Sequence, residues 1–299
     1  MIVNNSRGPR SAESFYRRYV RAKNVLFKGA CIAATVAILT LLALVAGYLI
    51  SKGLSHIGLH FFTKLPIPPG MEGAPGGMKN ALVGTVILVS LAGAVGIPVG
   101  MLAGIYLSEY SENSFLGTPV RFIADVLTGV PSIVVGILGY ELFVVPMGHF
   151  NGYAGAGALA FILIPIVART SEEMLRLVPH SYREASIALG ASKARTILEV
   201  VVPAATGSLV TGVMLSIARI AGETAPLLFT ALGSRLLTLN PAEPFPSLTV
   251  QIFAYASGPY RDEQELAWAG ILILIALVFA ANLVVRLAVR RMQTGEAAR

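Results

Sequence analysis

Apolar and polar positions along this chain fall in long blocks, without the short period of an amphipathic surface helix or strand. A helix needs about 20 apolar residues to cross a bilayer. Six blocks meet or approach that length, at 25–50, 81–107, 120–147, 154–169, 205–232 and 267–289. The pattern predicts an all-α membrane protein of six transmembrane helices in one domain, 25–289, between polar tails at 1–24 and 290–299. The first block exceeds the apolar core of a secretory signal peptide and follows a polar tail, so it reads as a permanent span.

Composition agrees with lipid as the main solvent. Only 13% of the 299 residues are charged and 55% are hydrophobic, with a mean hydropathy of +0.71. Soluble proteins carry about a quarter charged residues, needed for a polar skin. Of the 23 Lys and Arg, 17 fall on the side of the two tails and the 170–204 loop. Five fall on the opposite side, and Arg219 lies inside the fifth span. Basic residues accumulate on the cytoplasmic side, so both termini are expected there. Topology thus accounts for the net charge of +7 and leaves no case for nucleic acid.

Catalytic chemistry is not written into the sequence. Gly-Lys never occurs, which excludes a Walker A loop, and no His is followed by Glu as a zinc protease helix requires. There is no GxSxG elbow, and the single cysteine, Cys31, builds neither a disulfide nor a thiolate metal site. No catalytic residue, metal ligand or bound cofactor is expected on this chain. If ATP drives it, another chain must bind the nucleotide.

The 170–204 loop carries the most specific pattern. Residues 184–189 favour helix, Gly190 suits a helix C-cap, and Ser192 can cap a second helix expected to end at Pro203. Composition alone would make this an ordinary basic loop. Its spacing, however, resembles the EAA loop of ABC importer permeases: Glu-Ala-Ala, three residues, Gly, nine residues, then Ile-x-Leu-Pro. Glu184, Ala185, Gly190 and Pro203 match, Ser186 replaces the third alanine, and Val200 and Val202 replace Ile and Leu. The resemblance implies a type I permease fold whose coupling helix docks on an ATP-hydrolysing subunit, with Glu184, Ala185, Gly190 and Pro203 in the coupling element.

Inside the fifth block the chain reads Arg219-Ile-Ala-Gly-Glu223-Thr-Ala-Pro-Leu227. A charge at the bilayer centre costs about 2.5–3.5 kcal/mol on an insertion scale, so both residues call for an explanation. As an i, i+4 pair on one helix face they can neutralise each other and fix helix packing. They can equally form an anion gate, because the guanidinium fork suits phosphate or carboxylate oxygens. The string also resembles permeases of the phosphate-specific ABC importer (the PstA type), whose arginine and glutamate map onto Arg219 and Glu223.

That resemblance implies a heteromer with a second homologous permease, two ABC ATPase subunits that carry ATP and magnesium, and an extracytoplasmic phosphate-binding protein. It places the chain in a bacterial cytoplasmic (inner) membrane and implies phosphate import by alternating access. The alternatives are a permease for another oxyanion, such as sulfate, molybdate or phosphonate, and a standalone secondary transporter or channel. Elsewhere, Gly96, Gly100 and Gly104 read as a close-packing ridge and Pro131 and Pro165 as kinks. Asp125 and Glu141 read as interfacial charges, or as partners of Arg219 in a cavity.

Overall fold

The structure, a computed structural model, describes residues 10–68, 76–111 and 115–296. The ends of the expected tails, 1–9 and 297–299, lie outside them. The chain divides into two compact units, Met1–Ser51 and Lys52–Arg299. Helix α1 (Arg10–Gly53) makes up the described part of the first, and its helical conformation extends well into the expected N-terminal tail.

The second unit is also helical. A short helix α2 (Leu59–Thr63) precedes α3 (Lys79–Glu109), and the third apolar block folds as α4 (Gly117–Gly129) and α5 (Ser132–Gly139). A π turn, Tyr140–Val144, leads from α5 into α6 (Val145–Met147). Then come α7 (Gly152–Arg176), α8 (His180–Ala188), α9 (Lys193–Thr196) and a second π turn, Ile197–Val201. The chain ends with α10 (Val202–Ala221), α11 (Ala225–Thr230), α12 (Leu248–Ser257) and α13 (Arg261–Glu296). Among the described residues, five helices are long and apolar enough to cross a membrane, six if the bent α4–α6 segment counts as one, so this is a multi-pass membrane protein.

α3 and α7 form the spine of this unit. The glycine ridge faces α7 so closely that added Cβ atoms would meet Leu163 Cδ2 at 2.8 Å from Gly96, Val167 Cβ at 2.7 Å from Gly100 and Ser171 Cβ at 2.5 Å from Gly104. Small residues let the two backbones approach where no hydrophobic effect drives helices together. Leu88, Leu159, Leu163, Val167 and Ile220 are buried around this seam.

Prolines shape the remaining elements. Val130, held extended ahead of Pro131 (φ −66°, ψ 131°), ends α4, and the two halves of the third block meet at 103°. This is a break, where a kink was expected. Pro165 lies within α7 without interrupting it. Each π turn ends two residues before a proline, Pro146 or Pro203. A proline ring collides with the carbonyl four residues back in an α-helix, and widening the preceding turn relieves the collision.

Further departures from the expected boundaries fall in the second half of the chain. The fourth span continues as helix to Arg176, because residues 170–176 favour helix and Glu172 is neutralised there. The expected fifth span stops at Ala221 and resumes only as the six-residue α11. The connection 233–266 contains α12, whose Leu248, Val250, Ile252 and Tyr255 are buried. Ser247 caps α12, its Oγ accepting from the Val250 amide at 3.4 Å.

Candidate functional site: a presented helix hairpin and a charged helix break

α8 and α9 form a hairpin whose turn follows from one glycine. Gly190 has φ +89°, its N–H donates to the Ile187 carbonyl (2.9 Å), and the Ala191 N–H donates to the Ser186 carbonyl (3.2 Å). This is a Schellman cap, and the left-handed residue at its centre favours glycine. Ser192 then caps α9, accepting from the Arg195 amide at 3.4 Å. Across the turn, the Ser186 and Thr196 hydroxyls hydrogen bond at 2.9 Å.

Pro203 does not end the second helix as the sequence suggested. It sits in the first turn of α10, and the π turn before it keeps the chain helical from Lys193 to Ala221. Glu184, Ala185 and Gly190 are exposed, α8 buries no residue, and Leu189 is 90% exposed. Ala185, Ser186 and Gly190 line a surface concavity of about 460 Å³ with Tyr182 and Arg195. The hairpin therefore presents a small-residue wall and an apolar tip.

The anchor of this hairpin follows from no sequence motif. Arg183 donates to both carboxylate oxygens of Glu109, the last residue of α3, from Nε at 3.0 Å and Nη2 at 2.6 Å. It also donates to the Val178 carbonyl (2.7 Å) and the Leu175 carbonyl (3.0 Å) beyond and within α7. One side chain thus ties α8 to the ends of both spine helices. A second unforeseen cluster lies nearby. Glu172, 1% exposed, accepts from Arg121 (2.6 Å) and Arg169 (2.7 Å) and pairs with Arg176 (2.9 Å). Arg169 also pairs with Asp125 at 2.7 Å, so Asp125 belongs to this cluster rather than to a cavity with Arg219. Glu141 is an exposed residue of the first π turn. The signal for the Glu172 cluster was the i, i+3 and i, i+4 spacing of Arg169, Glu172 and Arg176 on one helix.

At the other end of α10 the charged pair is looser than a shared helix face implies. Arg219 lies on the last turn, Gly222 closes the helix, and Glu223 already stands outside it. The pair is 3.9 Å apart, with the Arg219 side chain 54% exposed and that of Glu223 15% exposed. Thr249 of α12 donates to the Glu223 carbonyl at 3.0 Å and pins the break. The arginine fork is thus held at its edge and left mostly open, while the Glu223 backbone is fixed by Thr249. No group of three or more His, Cys, Asp or Glu suited to a metal ion occurs among the described residues.

Known proteins resemble this chain in sequence and in fold. The family model described as binding-protein-dependent transport system inner membrane component matches residues 96–294. The phosphate transport system permease protein PstA of Yersinia pestis is 45% identical over 237 residues, covering 79% of this chain and 80% of the relative. The PstA protein of Haemophilus influenzae is 41% identical over 273 residues, 91% of this chain and 95% of that one. Among solved structures, a bacterial alginate ABC transporter in complex with a pentasaccharide-bound periplasmic protein superposes with a TM-score of 0.63 at 14% identity. That match covers 91% of this chain and 96% of the other. The inward-facing MetNI methionine ABC transporter gives a TM-score of 0.56 at 20% identity, over 71% and 92%. At such identities these two structures speak to the fold alone, that of type I ABC importer permeases. By sequence, the chain belongs to the binding-protein-dependent transport system inner membrane components, in the branch of the PstA phosphate transport permeases.

Proposed function

We propose that this chain is the permease subunit of an ATP-driven importer that carries inorganic phosphate across a bacterial cytoplasmic membrane. Both termini and the α8–α9 hairpin face the cytoplasm, in keeping with the 17-to-5 distribution of Lys and Arg. Its partners are two ABC ATPase subunits that hold ATP and magnesium, a second homologous permease, and an extracytoplasmic phosphate-binding protein. The chain itself binds no cofactor and catalyses no reaction.

In this reading the hairpin couples and the break gates. Glu184 and Ala185 lie on the docking face of α8, Gly190 forms the turn that ends it, and Pro203 sets the joint through which the hairpin meets α10. ATP binding draws the ATPase subunits together, α8 carries that motion to the spine, and the bundle alternates between outward and inward openings. Arg219 receives the anion with guanidinium donors that Glu223 holds only weakly, and Glu223 re-engages the fork once phosphate has passed. The single observation that carries the reading is the exposed, glycine-capped α8 fixed to two spans by Arg183.

Uptake of radiolabelled phosphate by vesicles containing the full assembly is the test. Transport should require ATP and the binding protein and should be lost with Arg219→Ala. Uptake by this chain alone, or unchanged uptake with Arg219→Ala, would overturn it.

A further inference from the structure

On the far side of α12 from the helix break lies a second arginine–glutamate pair. Arg235 Nη2 donates to Glu263 Oε1 at 2.9 Å, and its guanidinium carbon sits 5.6 Å from the centre of the Tyr255 ring. Arg235 borders a cavity of about 220 Å³, closed also by Ser234, Ser247, Gln251 and Tyr255. The turn that brings Ser234 and Arg235 over α12 is conformationally costly. Leu232 has φ +62° and Gly233 φ +88°, and Leu232 bridges to Phe245. A left-handed leucine costs about 1–2 kcal/mol and persists only where its surroundings enforce it.

Each wall hydroxyl already accepts one hydrogen bond and keeps its own hydrogen uncommitted. Ser234 Oγ accepts from the Leu236 amide, and Ser247 Oγ accepts from the Val250 amide. Gln251 Oε1 accepts from Asn80, and the Tyr255 hydroxyl accepts from Gln251 Nε2. The hydroxyl hydrogens of Ser234, Ser247 and Tyr255 and the further N–H groups of Arg235 have no acceptor among the described residues. A cavity lined by one guanidinium and several uncommitted hydroxyl donors suits an acceptor-rich anion. Of the side chains here, Glu263 alone opposes an anion. It is 7% exposed and occupied with Arg235.

We propose that Arg235, Ser234, Ser247 and Tyr255 form a second binding site for a tetrahedral oxyanion, a station that precedes Arg219 on the path of inorganic phosphate. One face of α12 lines the cavity while Thr249, on the opposite face, holds the Glu223 carbonyl. Occupancy on one side of this ten-residue helix is thereby joined to the gate on the other. Both stations share one logic: a carboxylate holds a guanidinium that an anion can claim in part. The inference rests on the phosphate reading above. A lipid headgroup offers the same chemistry, and the experiment separates the two sources.

The importer, purified with its partner subunits but without the binding protein, is placed in nanodiscs of an uncharged glycolipid that contains no phosphate. Equilibrium binding of radiolabelled inorganic phosphate is then measured in an Arg219→Ala background, which leaves the Arg235 site as the one under study. Adding Arg235→Gln should weaken that binding about tenfold or more, the loss expected for a charge-assisted contact. Adding Glu263→Gln should tighten it several-fold, because the fork is freed and the opposing charge removed. A merely structural Arg235–Glu263 pair would move both variants in the same direction, and that result overturns the site. So does binding that neither variant alters, or phosphorus found here only as co-purified phospholipid. Normal ATP-driven uptake together with any of these outcomes removes this station alone. Failure of uptake in the unmodified assembly removes the phosphate reading itself.

Discussion

Arg183 and Glu109, 74 residues apart in sequence, meet through both arms of the guanidinium fork at 3.0 and 2.6 Å, with side chains 15% and 6% exposed. Removing the arginine alone would leave a buried carboxylate without its partner, a loss of about 3–5 kcal/mol. Arg183→Ala is therefore expected to lower the denaturation temperature of the solubilised complex and to uncouple ATP hydrolysis from uptake. Arg183→Lys should rescue little, since a point charge cannot span both oxygens. The double variant Arg183→Leu, Glu109→Leu should recover stability but not coupling. Thermal denaturation and transport-linked ATPase assays on the same preparations check each part.

Gly190 supplies a more local test. A residue with Cβ at φ +89° costs about 1–2 kcal/mol, and asparagine tolerates the region better than valine. Gly190→Val is expected to unwind the turn and weaken retention of the ATPase during purification, with Gly190→Asn intermediate. Wild-type retention and transport in Gly190→Val would refute the coupling role.

For the gate, stability and function should part company. Arg219 is more than half exposed and its ion pair is 3.9 Å long, so Arg219→Ala should shift the denaturation temperature little while abolishing phosphate uptake. Glu223→Gln should retain fold and phosphate binding yet slow turnover, because nothing then reclaims the fork. Uptake rates set beside denaturation curves separate the two effects.

Glu172 should behave in the opposite way. Three arginines converge on a carboxylate that is 1% exposed, so Glu172→Gln leaves like charges facing one another in a buried place. A loss of about 3–5 kcal/mol is expected, visible as poor assembly before any transport defect. Combining it with Arg176→Gln, the most exposed of the three partners, should restore part of the loss.

Close packing of α3 on α7 yields the last expectation. Gly100→Val would drive a side chain into Val167 Cβ at 2.7 Å and the Ile164 carbonyl at 2.8 Å. Backbone on one side cannot yield, so the protein should fail to accumulate in the membrane, whereas Gly29→Ala, with nothing within 4 Å, should be neutral. Membrane protein levels by immunoblot decide this.

What the sequence disclosed depended on range. Apolar length located the spans, and local rules located the Gly190 cap and the Ser192 cap, because their energetics are confined to a few neighbouring residues. Arg183 with Glu109 stayed hidden, since nothing local brings residue 183 to the end of α3. Glu172 had Arg169 and Arg176 at helical spacing in the sequence, but only tertiary packing adds Arg121 to them. Pro131 marked a perturbation, but the 103° turn depends on what α5 packs against, chiefly α11 through Gly136 and Phe229. α12 had a readable start in Ser247 and its apolar run, and its Pro-rich surroundings disguised it as a loop.

The π turn before Pro203 gives the hairpin two unequal mechanical connections. Through Arg183 it meets α3 by a short ion pair and α7 by a hydrogen bond to a backbone carbonyl, and together these act as a strut. Toward α10 it passes through a wider coil whose closing bond, from the Val202 amide to the Ile197 carbonyl, is followed by a residue with no amide hydrogen to give. A displacement applied at α8 would therefore reach the spine helices more directly than it reaches α10, which carries Arg219 at its far end.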